Sequence, residues 1–418
     1  MNILVIGSGG REHAIVKKLA RDGVAKIYCA PGNAGMVEAE CAPVSDKDVT
    51  ALADFAVANK IDLTIVGPEH TLVAGIVDEF SARGLRIFGP MTMAAQLEGS
   101  KAFAKRLMAK HGIPTAEYAE FTELEPALAH LRQRGLPIVI KADGLAAGKG
   151  VVIPESSAEA ERTVANMLCG AAFGAAGSRV VIEEFLDGEE FSLMAFVNGT
   201  RYVPMPIARD YKRAFDGDQG LNTGGMGANS PHPLITEADY DQAIAEVIEP
   251  TVKALNAEGI PYTGVLYAGL IKTAAGIKVI EFNVRFGDPE TEVVLPRLDT
   301  PLVDIISGLL DDDGAPAPAA QWSSEACVGV VLAAEGYPGT SVKGARIQNL
   351  DALVGVDVCH MGTARAASGD YVTNGGRVLC VVGKGASLTD ARDLVYGEIS
   401  KINCSELFHR NDIAGSVQ

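Results

Sequence analysis

Through the first 111 residues, short apolar runs alternate with longer amphipathic ones: NILVIG, REHAIVKKLA, KIYCAPG, DVTALADFAVANK, IDLTIVGPE, LVAGIVDEFSARG, LRIFGP and MAAQLEGSKAFAKRLMAKHG. The short runs are rich in β-branched residues and bounded by Gly or Pro. The longer ones carry apolar residues at helical spacing. This alternation predicts a parallel sheet covered by helices on both faces, a Rossmann-like domain. In such sheets ligands gather at the carboxyl ends of strands. Residues 7–10, 31–35, 67–69 and 89–90 fall at those ends and are the first candidate binding loops.

Beyond residue 111 the pattern shifts to helix ELEPALAHLRQRG, strand LPIVIKAD, a glycine-rich turn, strand GVVIP, helix SAEAERTVANMLCG and strand RVVIEEFL. Paired strands backed by two helices predict a small α+β unit over 112–186. The strands EFSLMAFVNG, YTGVLYAGLI and IKVIEFNVR predict a central body over 187–322 that ends in DDDGAPAPAA, a linker too poor in large apolar side chains to build a core. A last unit over 323–418 combines strands with one long helix, SLTDARDLVYGEISKI.

A chain of 418 residues accommodates two to four domains of about 150 residues each. Its formal charge is 36 − 53 = −17, which disfavours nucleic acid and anionic lipid as partners. No apolar stretch approaches the roughly 20 residues of a membrane helix, and no basic leader precedes the first strand. A soluble cytoplasmic protein is expected. Cys29, Cys41, Cys169, Cys327, Cys359, Cys380 and Cys404 form no CxxC pair and are odd in number, so buried free thiols are expected rather than disulfides or a thiolate zinc site.

The glycine-rich turn Gly7-Ser8-Gly9-Gly10-Arg11-Glu12-His13 follows a strand and opens a helix, where free N–H groups attract an anion such as phosphate. A dinucleotide fingerprint is disfavoured because Glu12 occupies the last glycine position. A second glycine-rich turn, IVIKADGLAAGKGVV, places Gly144, Gly148, Lys149 and Gly150 between two strands, with Lys141 ending the first. Three residues rather than four separate Gly144 from Gly148, so this is no Walker loop; a flap over nucleotide phosphates fits it better. In VVIEEFLDGEE, the acids Glu183, Glu184, Asp187, Glu189 and Glu190 are either a solvated face or a reader of adenine and ribose.

In KVIEFNVRFGDPETE, Glu281 and Asn283 stand two residues apart on a strand and so share a face. A carboxylate beside an amide oxygen suits a hard divalent cation; the alternative is the wet side of a half-buried strand. Arg285 would continue that face, with Ile280, Phe282 and Val284 turned into the core. Arg285 could clamp a carboxylate or phosphate. RDYKRAFDGDQGLNTGGMGANSPHP reads as a long polar loop, and the histidines show no metal-ligand spacing.

Taken in order, VIGSGGREHA, APGNAG, LTIVGPE, QLEGSKAFAK, VIKADGLAAGKGV, VIEEFLDGEE, NTGGMGA, EFNVRFGDPETE and TNGGRVLC resemble the phosphoribosylamine–glycine ligase family of ATP-grasp enzymes, along nearly the whole chain. The resemblance implies an N-terminal substrate domain, an ATP-grasp fold with a small lid subdomain and a central catalytic body, and a small α+β, barrel-like C-terminal domain. It also implies ATP-dependent joining of glycine to 5-phosphoribosylamine through glycyl phosphate, in purine biosynthesis, with Mg²⁺ or Mn²⁺ as cofactor. It implies ATP contacts at Lys101, Lys141, Gly144, Gly148, Lys149, Gly150, Glu183, Phe185, Leu186 and Glu190, and a metal pair at Glu281 and Asn283. Catalytic roles fall to Arg285, Asp210 and Asp288. The phosphoribosylamine would meet Gly9, Gly10, Arg11, Asn33, Gly67, Pro68 and Glu69. A monomer is expected. The chain departs from the family pattern at His70 and Thr71, at Leu221 and Asn229, and at Glu292, where the family commonly has Gln.

Overall fold

The computed structural model describes residues 1–144, 150–170, 178–311 and 315–415. The first sheet is parallel, ordered Glu40–Cys41, Lys26–Pro31, Asn2–Gly7, Leu63–Val66, Ile87–Phe88. Asn2–Gly7 is central, and Ile3, Leu4, Val5 and Ile6 are wholly buried, as a strand covered on both faces requires. Helix Gly10–Arg21 leaves its end directly. The segment 93–112, expected as one helical run, holds two helices: Thr92–Gly99 and Lys101–His111. Ser100 between them is extended, and its hydroxyl accepts from Phe103 N, capping the second helix.

The small unit is an antiparallel sheet ordered Tyr118–Phe121, Val180–Glu184, Ile138–Ala142, Val151–Val152. Helices Leu124–Arg134 and Ser157–Cys169 back it and share with it a cluster around Leu131, Ile140, Val164 and Ile182. The strand Tyr118–Phe121 is an addition to the sequence expectation; its half-buried residues show no clear alternation. The central sheet is antiparallel too: Arg201–Pro204, Glu189–Asn198, Thr263–Thr273, Gly276–Asn283.

A six-stranded sheet runs Arg209–Asp210, Gly227–Ser230, Ala326–Ala334, Arg377–Gly385, Val356–His360, with Leu407–Phe408 beside Ala326–Ala334. It crosses the expected division at 322/323. It also corrects the reading of 209–229 as a loop. Arg209–Asp210 and Gly227–Ser230 are strands of this sheet, and Arg213–Phe215 pairs with Gln219–Asn222 as a hairpin. Buried Tyr211, Ala214, Met226 and Ala228 anchor the segment despite its polar composition. The thiols are free among the described residues, but only Cys29, Cys327, Cys359 and Cys380 are buried; Cys41 and Cys169 are exposed and Cys404 lies between. No helix among the described residues is long and apolar enough to cross a membrane.

Candidate active site

At the amino-terminal sheet the strand order reverses between Asn2–Gly7 and Leu63–Val66, which opens the crevice where a dinucleotide would lie. Glu12 fills it. A Cβ on Gly67 would lie 1.9 Å from Glu12 Oε1, and one on Gly7 2.5 Å from Glu12 Cγ. The Glu12 carboxylate accepts from Gly9 N at 2.6 Å and from Arg11 Nε at 2.6 Å. Gly67 is thus glycine because a neighbouring side chain needs its space. Asn33 ties loops together, its Nδ2 donating to Ser8 O and His360 O at 2.8 Å each.

Beside this crevice a cavity of about 510 Å³ opens between the small unit and the central sheet. Lys141, at the end of Ile138–Ala142, is almost wholly buried, and its Nζ donates to Glu183 Oε2 and Ile280 O, each at 3.0 Å. Lys105, on helix Lys101–His111, reaches the same Glu183 oxygen at 2.9 Å and donates to Thr115 Oγ1 at 2.8 Å. Burial lowers the Lys105 pKa to about 8, although Glu183 supports its charge. Both lysines meet one carboxylate oxygen, and Glu183 Oε1 remains buried without a partner. An orphaned acceptor in a cavity fits an amino group such as that of adenine.

Across the cavity, the strand Gly276–Asn283 contains a bulge. Gly269 pairs with Glu281 and Leu270 with Val279, so Ile280 is the extra residue. Ile280 therefore lines the cavity instead of entering the core, as simple alternation predicted, whereas Phe282 and Val284 are core residues. Burial opposes ionisation of Glu281, yet Lys101, Lys141, Lys212 and Arg285 outweigh it and hold its carboxyl below the usual range. Asn283 Oδ1 accepts from Arg285 Nη2 at 3.2 Å. Burial likewise works against the Arg285 charge, but Glu98 at 3.2 Å and Glu69 at 3.5 Å keep its pKa raised. No cluster of three or more His, Cys, Asp or Glu among the described residues could hold a metal by itself. One carboxylate and one amide oxygen fit a hard cation that completes its shell with water and phosphate oxygens.

The third wall carries titratable chemistry. Lys212 Nζ donates to Glu190 Oε2 at 2.6 Å and lies 4.0 Å from Asp210 Oδ1. Burial pushes the Asp210 carboxyl up to about 7; Lys212 opposes that, and Glu290 and Glu190 add to it. Glu290 is buried and accepts from Tyr267 OH at 2.6 Å and Ser192 Oγ at 2.9 Å.

The structure brings most of the sequence-predicted residues to this one cavity. Lys101, Lys141, Gly144, Gly150, Glu183, Phe185, Leu186 and Glu190 line it, as do Glu281, Asn283, Asp210, Arg285 and Asp288. Arg11 and Glu69 line it from the amino-terminal side, but Gly9, Gly10, Asn33, Gly67 and Pro68 do not. Gly148 and Lys149 lie outside the described residues. Lys105, Lys212, Glu98, Tyr267, Glu290 and Arg377 also line the cavity and are missed by the sequence reading. For Lys105 a signal exists: it stands four residues after Lys101 on one helix, hence on the same face.

The phosphoribosylglycinamide synthetase family matches this chain in three consecutive pieces: its N domain over residues 1–98, its ATP-grasp (A) domain over 99–291 and its C domain over 327–416. Curated relatives named phosphoribosylamine–glycine ligase, from Halalkalibacterium halodurans and Xanthomonas axonopodis pv. citri, are each 53% identical to it. These alignments cover 100% and 99% of this chain and 97% of each relative. A crystal structure of that ligase from Thermotoga maritima is 34% identical with a TM-score of 0.86, covering 99% of this chain and 100% of that one. The biotin carboxylase domain of 2-oxoglutarate carboxylase from Hydrogenobacter thermophilus, solved in complex with MgADP and bicarbonate, shares the fold alone. Its TM-score is 0.75 at 16% identity, covering 97% and 91% of the two chains. The protein is an ATP-grasp ligase, which uses ATP and a divalent cation. The full-length identity narrows this further: the chain belongs to the phosphoribosylamine–glycine ligase family of purine biosynthesis.

Proposed function

We propose that this cavity joins glycine to 5-phospho-β-D-ribosylamine at the expense of ATP, with the sequence-predicted residues in the roles their positions support. The adenine amino group meets the free Glu183 Oε1, while Phe185 and Leu186 flank the base and Glu190 takes the ribose. Lys101 and Lys141, with Gly144 and Gly150 of the flap, face the phosphates. Glu281 and Asn283 hold Mg²⁺ or Mn²⁺, which neutralises phosphate charge when bound.

A carboxylate oxygen of glycine attacks the γ-phosphorus and ADP leaves. The amine of phosphoribosylamine then attacks the acyl carbon of glycyl phosphate; phosphate leaves, and the nitrogen gives up a proton. Asp210 and Asp288 hold the glycine ammonium, and Arg285 stabilises the transferring phosphoryl group. Arg11 and Glu69 receive the phosphoribosylamine at the amino-terminal edge. The observation that carries this reading is the meeting of Glu281, surrounded by Lys101, Lys141, Lys212 and Arg285, with Asn283 in the cavity that Glu183 also lines.

We further propose a division at residues 111, 186 and 322 into substrate, lid, catalytic and carboxy-terminal units, and a cytoplasmic monomer without nucleic-acid or membrane partners. Steady-state release of ADP tests the function: it should require glycine and phosphoribosylamine together. ADP release without glycine dependence would refute the reading.

A further inference from the structure

Arg377 enters the cavity from the carboxy-terminal strand Arg377–Gly385, far in sequence from every other residue there. Among the described residues, every hydrogen bond of its side chain is made by one nitrogen. Nη1 donates to Gly224 O at 2.6 Å and Asp288 Oδ1 at 2.8 Å, with longer contacts to Asp288 O at 3.4 Å and Gly225 O at 3.5 Å. Among the described residues Nε and Nη2 have no partner. Neither is an enclosed unpartnered atom, and the side chain lines the cavity.

The turn that Arg377 grips is tied down by other contacts as well. Gly224 N donates to Tyr337 OH at 2.9 Å. Thr223 N and Oγ1 both donate to Lys212 O at 2.8 Å. A Cβ on Gly225 would lie 2.3 Å from Pro289 Cδ. Arg377 is thus held in place by groups that consume only one of its three nitrogens. Nη1 also pairs with Asp288, the carboxylate that would otherwise repel an anion at this edge. Burial disfavours the charge of Arg377, but its neighbours, Asp288 foremost, outweigh it and keep the pKa raised. Asp288 also favours the charge of Arg11, which lines the same cavity.

We propose that Arg377 is a binding residue for the phosphate monoester of the amine substrate, supplied by the carboxy-terminal unit to the same edge as Arg11. This rests on the ligase reading and adds a residue to its second-substrate site. A guanidinium with two adjacent free donors matches two oxygens of a phosphate, whereas an ammonium presents only a point charge. The first turn of helix Gly10–Arg21 alone offers backbone donors and one arginine, Arg11, already shared with Glu12 and Phe286 O.

The probe is ribose 5-phosphate, a stable phosphate monoester, titrated by calorimetry into wild type, Arg377→Gln, Arg377→Lys and Tyr337→Phe. Arg377→Gln should weaken its binding at least about tenfold, and Arg377→Lys should restore it only in part, while ATP affinity stays unchanged. Tyr337→Phe loosens the turn without touching the free donors and should leave ribose 5-phosphate affinity intact. Unchanged affinity in Arg377→Gln would overturn the proposal. So would an equal loss in Tyr337→Phe, which would make the effect one of turn geometry. Wild-type turnover separates the two readings: if ADP release depends on glycine and phosphoribosylamine while Arg377→Gln keeps its KM for the amine, the ligase reading stands and this inference fails.

Discussion

Lys105 and Lys141 converge on a single oxygen of Glu183, at 2.9 Å and 3.0 Å, and leave its other oxygen buried and unbonded. Replacing Glu183 by Ala strands two buried ammonium groups. Losing one partner of a buried ion pair typically costs about 3–5 kcal/mol, so the denaturation midpoint should fall sharply. KM for ATP should rise at least about tenfold with the loss of the amino-group acceptor. A variant with wild-type KM for ATP would remove Glu183 from the nucleotide site.

Glu281 is the anion on which Lys101, Lys141, Lys212 and Arg285 converge. Glu281→Gln preserves size and removes the charge that a divalent cation requires. The expected outcome is a fall in kcat of about a hundredfold or more, together with a higher metal concentration for half-maximal rate. Titrating Mg²⁺ and Mn²⁺ against both proteins checks it. Lys141→Ala should mainly raise the ATP requirement.

Asp210 links activity to pH. Its carboxyl has a pKa of about 7, raised by burial, with Lys212 opposing and Glu290 and Glu190 adding to the shift. If the ionised form holds the glycine ammonium, KM for glycine should fall as pH rises from about 6 to 8, and Asp210→Asn should flatten that limb. For stability the sign is opposite. The folded state keeps the proton that the unfolded chain releases near its ordinary value, so this group's stabilisation is lost as pH rises through about 7.

Both oxygens of Glu292 are buried and unpartnered, and a Cβ on Gly10 would lie 2.5 Å from one of them. Burial first, and then Asp288, hold its carboxyl well above the ordinary range, with Arg377 opposing. The folded protein therefore retains this proton above the unfolded pKa, and rising pH erodes stability until the raised pKa is passed. Glu292→Gln, a neutral side chain of the same shape, should remove that slope. Melting temperatures of wild type and variant should lie close together at acidic pH, and the Glu292→Gln variant should become the more stable of the two at alkaline pH.

Gly67→Ala tests the plugged crevice. The new Cβ would meet Glu12 Oε1 at 1.9 Å, and that carboxylate is fastened to Gly9 N and Arg11. Overpacking of this kind costs about 1–3 kcal/mol. Because the strain is pairwise, Glu12→Ala should relieve part of it, and urea denaturation of the two single variants and the double variant should show non-additivity.

The alternation of Ile3–Ile6 with the helix that follows is readable because it is local, and the parallel sheet follows from it. Lys141, Glu183 and Glu281 are readable for a different reason: charged residues interrupt apolar strands there. What escapes detection is nonlocal. The strands at 209–210 and 227–230 exist because Ala326–Ala334 supplies their partner, and nothing near them in sequence announces it. The bulge at Ile280 is set by register against Thr263–Thr273, so strict alternation misplaces that side chain. Arg377 reaches Asp288 across 89 residues of sequence.

The sheet that joins Gly227–Ser230 to Ala326–Ala334 has a bearing on how this chain can be cut or exchanged. Severing it after residue 322 would strip a hydrogen-bonded neighbour from the segment that presents Asp210 and Lys212, leaving a raw sheet edge prone to self-association. Grafting a foreign tail would succeed only where the newcomer brings a matching strand, so head and tail are inherited as one piece.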